Sequence, residues 1–344
     1  MYFLGIDLGS SSVKLSIFDA DSQQSIAAVG EPKSEMAMEA LQPGWAEQDP
    51  NQWWENVKIA LQRLQSEYQI DLTQIKAIGI AYQMHGLVLT DSHLNPVRPS
   101  IIWCDSRAAT IGDKAFEEIG EEKCHDMILG SPGNFTASKL KWVKENEPEI
   151  YKKAAYMMLP GDYIAARFSE KPQISKGGLS EGMLWHFKEN RLAKEILEYY
   201  GISEELIPEV VSNFGDQALV SSKVAKELGL SEDVKITYRA GDQPNNAMSL
   251  NVLSPGEIAT TAGTSAVIYS VSENHAFDKD NRINTFLHVN NQENENRNGV
   301  MVCINGSGIL YQWLRNILSS GRDHIVDYEY LNEVAAQSKP GSEG

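Results

Sequence analysis

The chain has 344 residues, a length that suggests two domains. Hydrophobic residues make up 42% and charged residues 22%, with 30 Lys and Arg against 47 Asp and Glu, for a net charge of −17. That acidic surface repels phosphate backbones and anionic lipid, which argues against nucleic-acid and membrane-surface binding.

The apolar start at residues 2–6 is short, lacks a basic flank and runs into Asp7, so it reads as a strand rather than a signal peptide. No apolar run approaches the roughly 18 residues of a membrane helix. Cys104, Cys124 and Cys303 are scattered, a usage that fits a reducing, cytoplasmic compartment and neither a disulfide framework nor a zinc site.

Residues 4–7 form the first predicted strand, Gly9-Ser10-Ser11-Ser12 a tight turn, and Val13, Leu15 and Ile17 the apolar face of a returning strand. Successive backbone N–H groups and hydroxyls in such a turn make a concave nest suited to phosphate oxygens, and Asp7 beside it can hold a hydrated Mg²⁺. The pattern is neither a Walker A loop nor a dinucleotide fingerprint. Taken alone, the hairpin reads as an ordinary turn of small residues; a second such hairpin shifts the reading towards nucleotide phosphate.

Asp49-Pro50 is a capping carboxylate before a first-turn proline, and Trp54, Val57, Leu61, Leu64 and Tyr68 then recur at helical spacing. Ile75–Tyr82 is short, apolar and β-branched, a buried strand, and helix followed by buried strand points to an α/β architecture. At its end Gln83-Met84-His85-Gly86 gathers an amide, a thioether and an imidazole where strand ends of open sheets form ligand crevices. Residues 101–107 read as a third strand end, adding Trp103 as an aromatic wall and Asp105 with Arg107, which by itself is a local ion pair worth little. Helical stretches follow around residues 139–145, 192–200, 223–228 and 309–318.

The strand predicted at 234–238 runs into Gly241-Asp242-Gln243-Pro244. A carboxylate there can take a proton from a substrate hydroxyl, and Asp-x-Pro is also a good Asx turn or helix cap. Ser254-Pro255-Gly256 marks the domain boundary. Beyond it the opening plan returns: a strand at 257–261, a Gly263-Thr264-Ser265 turn and a strand at 266–271, which suggests a duplicated fold facing a shared cleft. Residues 290–298 read as an exposed hairpin tip.

Together, Gly5-Ile6-Asp7-Leu8-Gly9-Ser10-Ser11, Gln83-Met84-His85-Gly86, Trp103-x-Asp105-x-Arg107, Phe135-Thr136-x-x-Lys139-Leu140-x-Trp142, Gly241-Asp242 and Gly263-Thr264-Ser265 resemble, in content and order, the FGGY carbohydrate kinases. The Met-His-Gly segment and Gly44-Trp45-x-Glu47-Gln48-Asp49-Pro50-x-x-Trp53-Trp54 are similar to the xylulokinase branch, and the likeness runs to about residue 318.

The resemblance implies an actin-like (ribonuclease H-like) ATPase fold of duplicated α/β domains with the ligands in the interdomain cleft. It assigns residues 1–250 to the N-terminal domain, with the sugar site and first phosphate loop, and 256–344 to the beginning of a C-terminal nucleotide domain, incomplete because the family continues for more than about a hundred residues. The implied reaction is ATP- and Mg²⁺-dependent phosphorylation of D-xylulose to D-xylulose 5-phosphate, with another polyol or ketose kinase (glycerol, ribulose, fuculose or gluconate type) or an impaired sugar-binding fragment as alternatives. Asp242 matches the general base, and Met84, His85, Trp103, Asp105 and Gln243 the sugar contacts. Asp7, Gly9, Ser10, Ser11, Ser12, Gly263, Thr264, Gly308 and Gln312 match the Mg-ATP contacts, with Asp7 holding Mg²⁺ through water. The implied partners are the sugar and ATP, with a homodimer as the assembly considered. Gln243 departs from the Asn usual in bacterial xylulokinases, Ser10 stands where Thr is usual and Asn134 where a Gly is expected.

Overall fold

In the computed structural model, residues 1–263, 266–304, 306–321 and 325–342 are described. The first layer opens with β1 (Tyr2–Leu8), β2 (Val13–Asp19) and β3 (Gln24–Glu31), followed by α1 (Pro50–Tyr68) and β4 (Ile75–Tyr82). Helices α2 (Thr136–Asn146), α3 (Pro160–Ser169) and α4 (Lys176–Glu181) come next, then β5 (Phe214–Leu219), β6 (Lys235–Gly241) and α5 (Asp242–Ser249). The sheet order is β5-β6-β4-β1-β2-β3. Its centre, β6-β4-β1, is parallel, and its flanking pairs are antiparallel.

Alternation explains the hairpin: Val13, Leu15 and Ile17 of β2 are buried, while Lys14, Ser16 and Phe18 point out. Helix α1 begins as its sequence directs, with Asp49 accepting from the Asn51 N–H at 2.9 Å and Pro50 in the first turn. Its apolar stripe covers the sheet through Trp53, Trp54, Val57, Leu61 and Leu64, each aliphatic member contributing about 1.5–3 kcal/mol by leaving water. Tyr68 lies beyond that stripe and is exposed.

The second layer holds β7 (Ile258–Ala262), β8 (Ala266–Ser272), β9 (Asn284–Leu287) and β10 (Asn298–Ile304), in the antiparallel order β7-β8-β10-β9, and then α6 (Ser307–Ser319). Each layer thus opens on an antiparallel hairpin. The layers meet where β9 packs on α4, and the Leu287 N–H donates to Ser180 Oγ at 3.0 Å in the buried seam. Residues 288–297 connect β9 to β10, and Asn298, which opens β10, is fully buried rather than exposed. The segment at 101–103 differs from expectation. Ser100–Ile101 pairs with Glu47–Gln48, Ile101 also bridges to Leu87, and the segment is not a strand of the large sheet, because Pro96 and Pro99 keep the ladder short there. No helix among the described residues is long and apolar enough to cross a membrane.

Candidate active site

The parallel register aligns Leu8 with Tyr82 and Tyr82 with Gly241. Three segments far apart in sequence therefore leave one sheet edge side by side: the Gly9–Ser12 turn, Gln83–Gly86 and Asp242. Two strand spacings separate the outer pair, about 10 Å. This is the carboxyl edge, where open α/β sheets bind ligands.

The Gly9–Ser12 turn is closed by the Gly9 N–H donating to Ser12 O at 3.1 Å. Gln48 Nε2 donates to Ser10 O at 2.6 Å, while Gln48 Oε1 accepts from Gln83 Nε2 at 3.1 Å and from Trp53 Nε1 at 3.2 Å. One buried amide thus links the phosphate-type turn to the end of β4. Asp7 faces Lys14 across the hairpin at 3.2 Å, and its side chain remains 44% exposed.

Asp242 opens α5 directly after β6. Burial, and secondarily the charge of Asp7, push its carboxyl up to about 6, while Gln243 favours the ionised form. The raised carboxyl holds a proton more tightly than a free aspartate does.

His85 sits in the left-handed region at φ 60°, between a T-shaped contact with Phe135 (4.8 Å) and a tilted one with Phe286 of β9 (5.3 Å). Its carbonyl accepts from Lys139 Nζ at 2.9 Å, and the same ammonium donates to Ile102 O at 2.9 Å. Burial first, then the Lys139 charge, drive the imidazole down to about 3, so the ring is neutral. Glu181 O, 3.0 Å from Nδ1, can only accept, which puts the proton on Nδ1 and leaves Nε2 a bare acceptor for a hydroxyl. The turn needs Gly86, since a Cβ there would stand 2.6 Å from Pro160 Cγ. Met84 packs against Gly241, where a Cβ would lie 2.5 Å from Met84 Cγ and 2.6 Å from Glu181 Oε2.

Trp103 is 52% exposed and free to serve as a platform. Asp105 has a different setting: it is fully buried, receives Arg107 through both oxygens at 2.7–3.0 Å, and accepts from the Ala46 N–H at 2.6 Å. Arg107 in turn meets Glu47 at 2.6 Å and stacks on Trp45 at 3.8 Å and Trp142 at 4.8 Å. The sugar-contact expectation for Asp105 thus meets a carboxylate whose hydrogen-bonding positions are taken by the chain itself.

Gly263 lies at the exposed turn of the β7–β8 hairpin, while Thr264 falls outside the described residues. Gly308 and Gln312, one helical turn apart, share a face of α6. Among the described residues no group of three or more His, Cys, Asp or Glu forms a protein-only metal cage. The arrangement that fits Mg²⁺ is one accessible carboxylate, Asp7, whose negative field already reaches Asp242, completed by phosphate oxygens and water.

Sequence reasoning did not single out Glu181, Phe286 or the bridging role of Gln48. Glu181 and Phe286 carry no local signal, because each matters through a packing partner about a hundred or more residues away.

A profile of the FGGY family of carbohydrate kinases, N-terminal domain, matches residues 2–249. A xylulose kinase of Staphylococcus epidermidis is 29% identical over 343 residues, covering 99% of this chain and 66% of that relative, so the chain spans just under two thirds of its length. The crystal structure of a xylulose kinase from Rhodospirillum rubrum superposes with a TM-score of 0.88 at 20% identity, covering 99% of this chain and 68% of that one. A gluconate kinase from Lactobacillus acidophilus gives 0.87 at 22% identity, covering 99% and 67%. These likenesses establish a mixed α/β fold of the actin-like ATPase type.

Proposed function

The chain belongs to the FGGY family of carbohydrate kinases, and on that premise we propose that it forms the sugar site of an enzyme transferring the γ-phosphoryl of ATP to the terminal hydroxyl of D-xylulose. The observation that carries the reading is the alignment of Leu8, Tyr82 and Gly241, which sets the Asp7 turn, Met84–His85 and Asp242 along one edge.

In the proposed reaction His85 Nε2 accepts a hydrogen bond from a sugar hydroxyl, and Met84 and Trp103 supply apolar surface. Asp242 accepts the proton of the terminal hydroxyl, whose oxygen forms the new bond to phosphorus as the bond to ADP breaks. Mg²⁺, held by Asp7 through water, would neutralise charge on the phosphates. The Ser10–Ser12 turn, with Gly9, would orient them, and Gly263, Thr264, Gly308 and Gln312 would contact the nucleotide from the second layer. Asp105 acts as scaffold in this reading, tying residues 44–48 to Arg107.

Asp7 and Asp242 set two carboxyl groups along this edge, near enough for the charge of Asp7 to raise Asp242. That favours a neutral ketose over a sugar acid, whose carboxylate would be repelled. Calorimetric titration of D-xylulose, glycerol and D-gluconate, beside a coupled ADP-release assay with MgATP, tests the assignment. Saturable binding of D-xylulose in preference to the other two supports it. Preference for D-gluconate would replace it with a sugar-acid kinase, and preference for glycerol with a triol kinase.

A further inference from the structure

Glu181 closes α4 and is 2% exposed. Its main-chain carbonyl takes the Nδ1–H of His85, while its carboxyl turns towards the Gly241–Asp242 junction and lies beside Met84 there. The preceding residue, Ser180, accepts from Leu287 N–H of the second layer. A single turn of chain thus meets the imidazole, the thioether, the strand end before Asp242 and the second layer. We propose that Glu181 is a positioning residue of the sugar site, its carbonyl setting the orientation of His85 and its carboxyl bracing Met84 and the Gly241–Asp242 junction from beneath. The inference rests on the reading of this pocket as a sugar site.

A purely space-filling role is a poor account of an acid at this position. Oε1 of Glu181 is buried without a well-formed hydrogen bond, and Tyr82, whose hydroxyl is near enough to favour the ionised acid, is likewise buried without one. Burying such a group costs free energy that an apolar side chain of equal length avoids. The acid also stands where it is least damaging to the base. Burial, then the charges of Asp242 and Asp162, hold its carboxyl well above the usual carboxylate range, so it braces Asp242 without setting a second negative charge against it. Gly241 has to lack a side chain for this contact to exist, because a Cβ would occupy the space of Glu181 Oε2 and Met84 Cγ.

Two variants separate positioning from packing. Glu181→Gln keeps length and neutrality, whereas Glu181→Met keeps volume and removes the polar head. Each is measured by D-xylulose titration calorimetry, by thermal unfolding and by ¹⁵N NMR of histidine-labelled chain, with His85 assigned through His85→Gln. The expected result is an Nδ1–H tautomer for His85 in the unsubstituted chain, retained with affinity within about twofold in Glu181→Gln. In Glu181→Met the His85 signals move and affinity falls at least about tenfold, while the Tm stays equal or rises. Unchanged His85 signals and affinity in Glu181→Met overturn the proposal, as do losses in both variants that simply track a lowered Tm. Should the unsubstituted chain bind no sugar while the His85 signals still move in Glu181→Met, the sugar reading fails and the positioning role stands. Normal sugar binding with no effect of Glu181→Met has the opposite meaning.

Discussion

His85 donates its Nδ1–H to the main-chain carbonyl of Glu181 across 3.0 Å, tying the end of β4 to the end of α4. With the ring held neutral, Nε2 is the one atom of this imidazole left to accept from a ligand. His85→Ala should therefore weaken ketose binding by about tenfold, the scale of one hydrogen bond. Because the imidazole titrates only near 3, sugar affinity in an Asp242→Asn background should show no imidazole step between pH 5 and 7. A midpoint near 6.5 in that background would mean that the ring charges in this range.

Asp242 predicts a stability effect of definite sign. Its carboxyl holds a proton to about pH 6 in the folded chain and to about 3.8 when unfolded. The stabilisation from that tighter proton binding is full below about pH 4 and lost as the pH rises through 6. Asp242→Asn should accordingly be more stable than the parent at pH 7 by about 1–2 kcal/mol, after allowance for partial solvent screening, with the gap closing towards pH 4. Urea unfolding at the two pH values measures it. A gap that widens on acidification would contradict the assigned direction.

Asp105→Ala should unfold the region more than it changes sugar recognition. Removing one member of a buried, bidentate pair leaves Arg107 to Glu47 alone and the Ala46 N–H unpaired, and costs about 3–5 kcal/mol. Affinity for D-xylulose, measured well below the new Tm, should stay within about twofold. A small stability change with a large loss of affinity would return Asp105 to the role that the sequence motif suggested.

Phe286 tests whether the second layer completes the pocket. It is 1% exposed and lies against His85. Phe286→Ala should cost about 3–5 kcal/mol through the cavity it leaves, and Phe286→Leu less. Both should weaken sugar binding, in the order Ala more than Leu, by calorimetry at low temperature. Unaltered affinity in Phe286→Ala would confine the pocket to the first layer.

The elements easiest to read in the sequence were those fixed by local chemistry. Asp49-Pro50 announced the start of α1, and the β-branched run Ile75–Tyr82 announced β4. The hairpins at β1–β2 and β7–β8 followed from alternation around small turn residues. The parallel register that unites Leu8, Tyr82 and Gly241 was not readable locally, because the crossovers that join those strands are longer than sixty residues. Asp105 and Arg107 read as a surface pair, since spacing conveys nothing of the Trp45 and Trp142 rings that bury them. Glu181 ends a short helix with an ordinary surface-type residue; only the approach of Gly241 and His85 gives it meaning.

The most direct test of the shared strand edge as a sugar-kinase site is a paired measurement on Asp242→Asn, with D-xylulose affinity by calorimetry and ADP release under saturating MgATP. The account predicts sugar affinity close to that of the parent, with kcat lower by about 10²–10⁴-fold because the proton acceptor is gone while its shape remains. Turnover near the parent's, with the sugar bound as before, would contradict the assignment of Asp242 as the base on which this reading of the site depends.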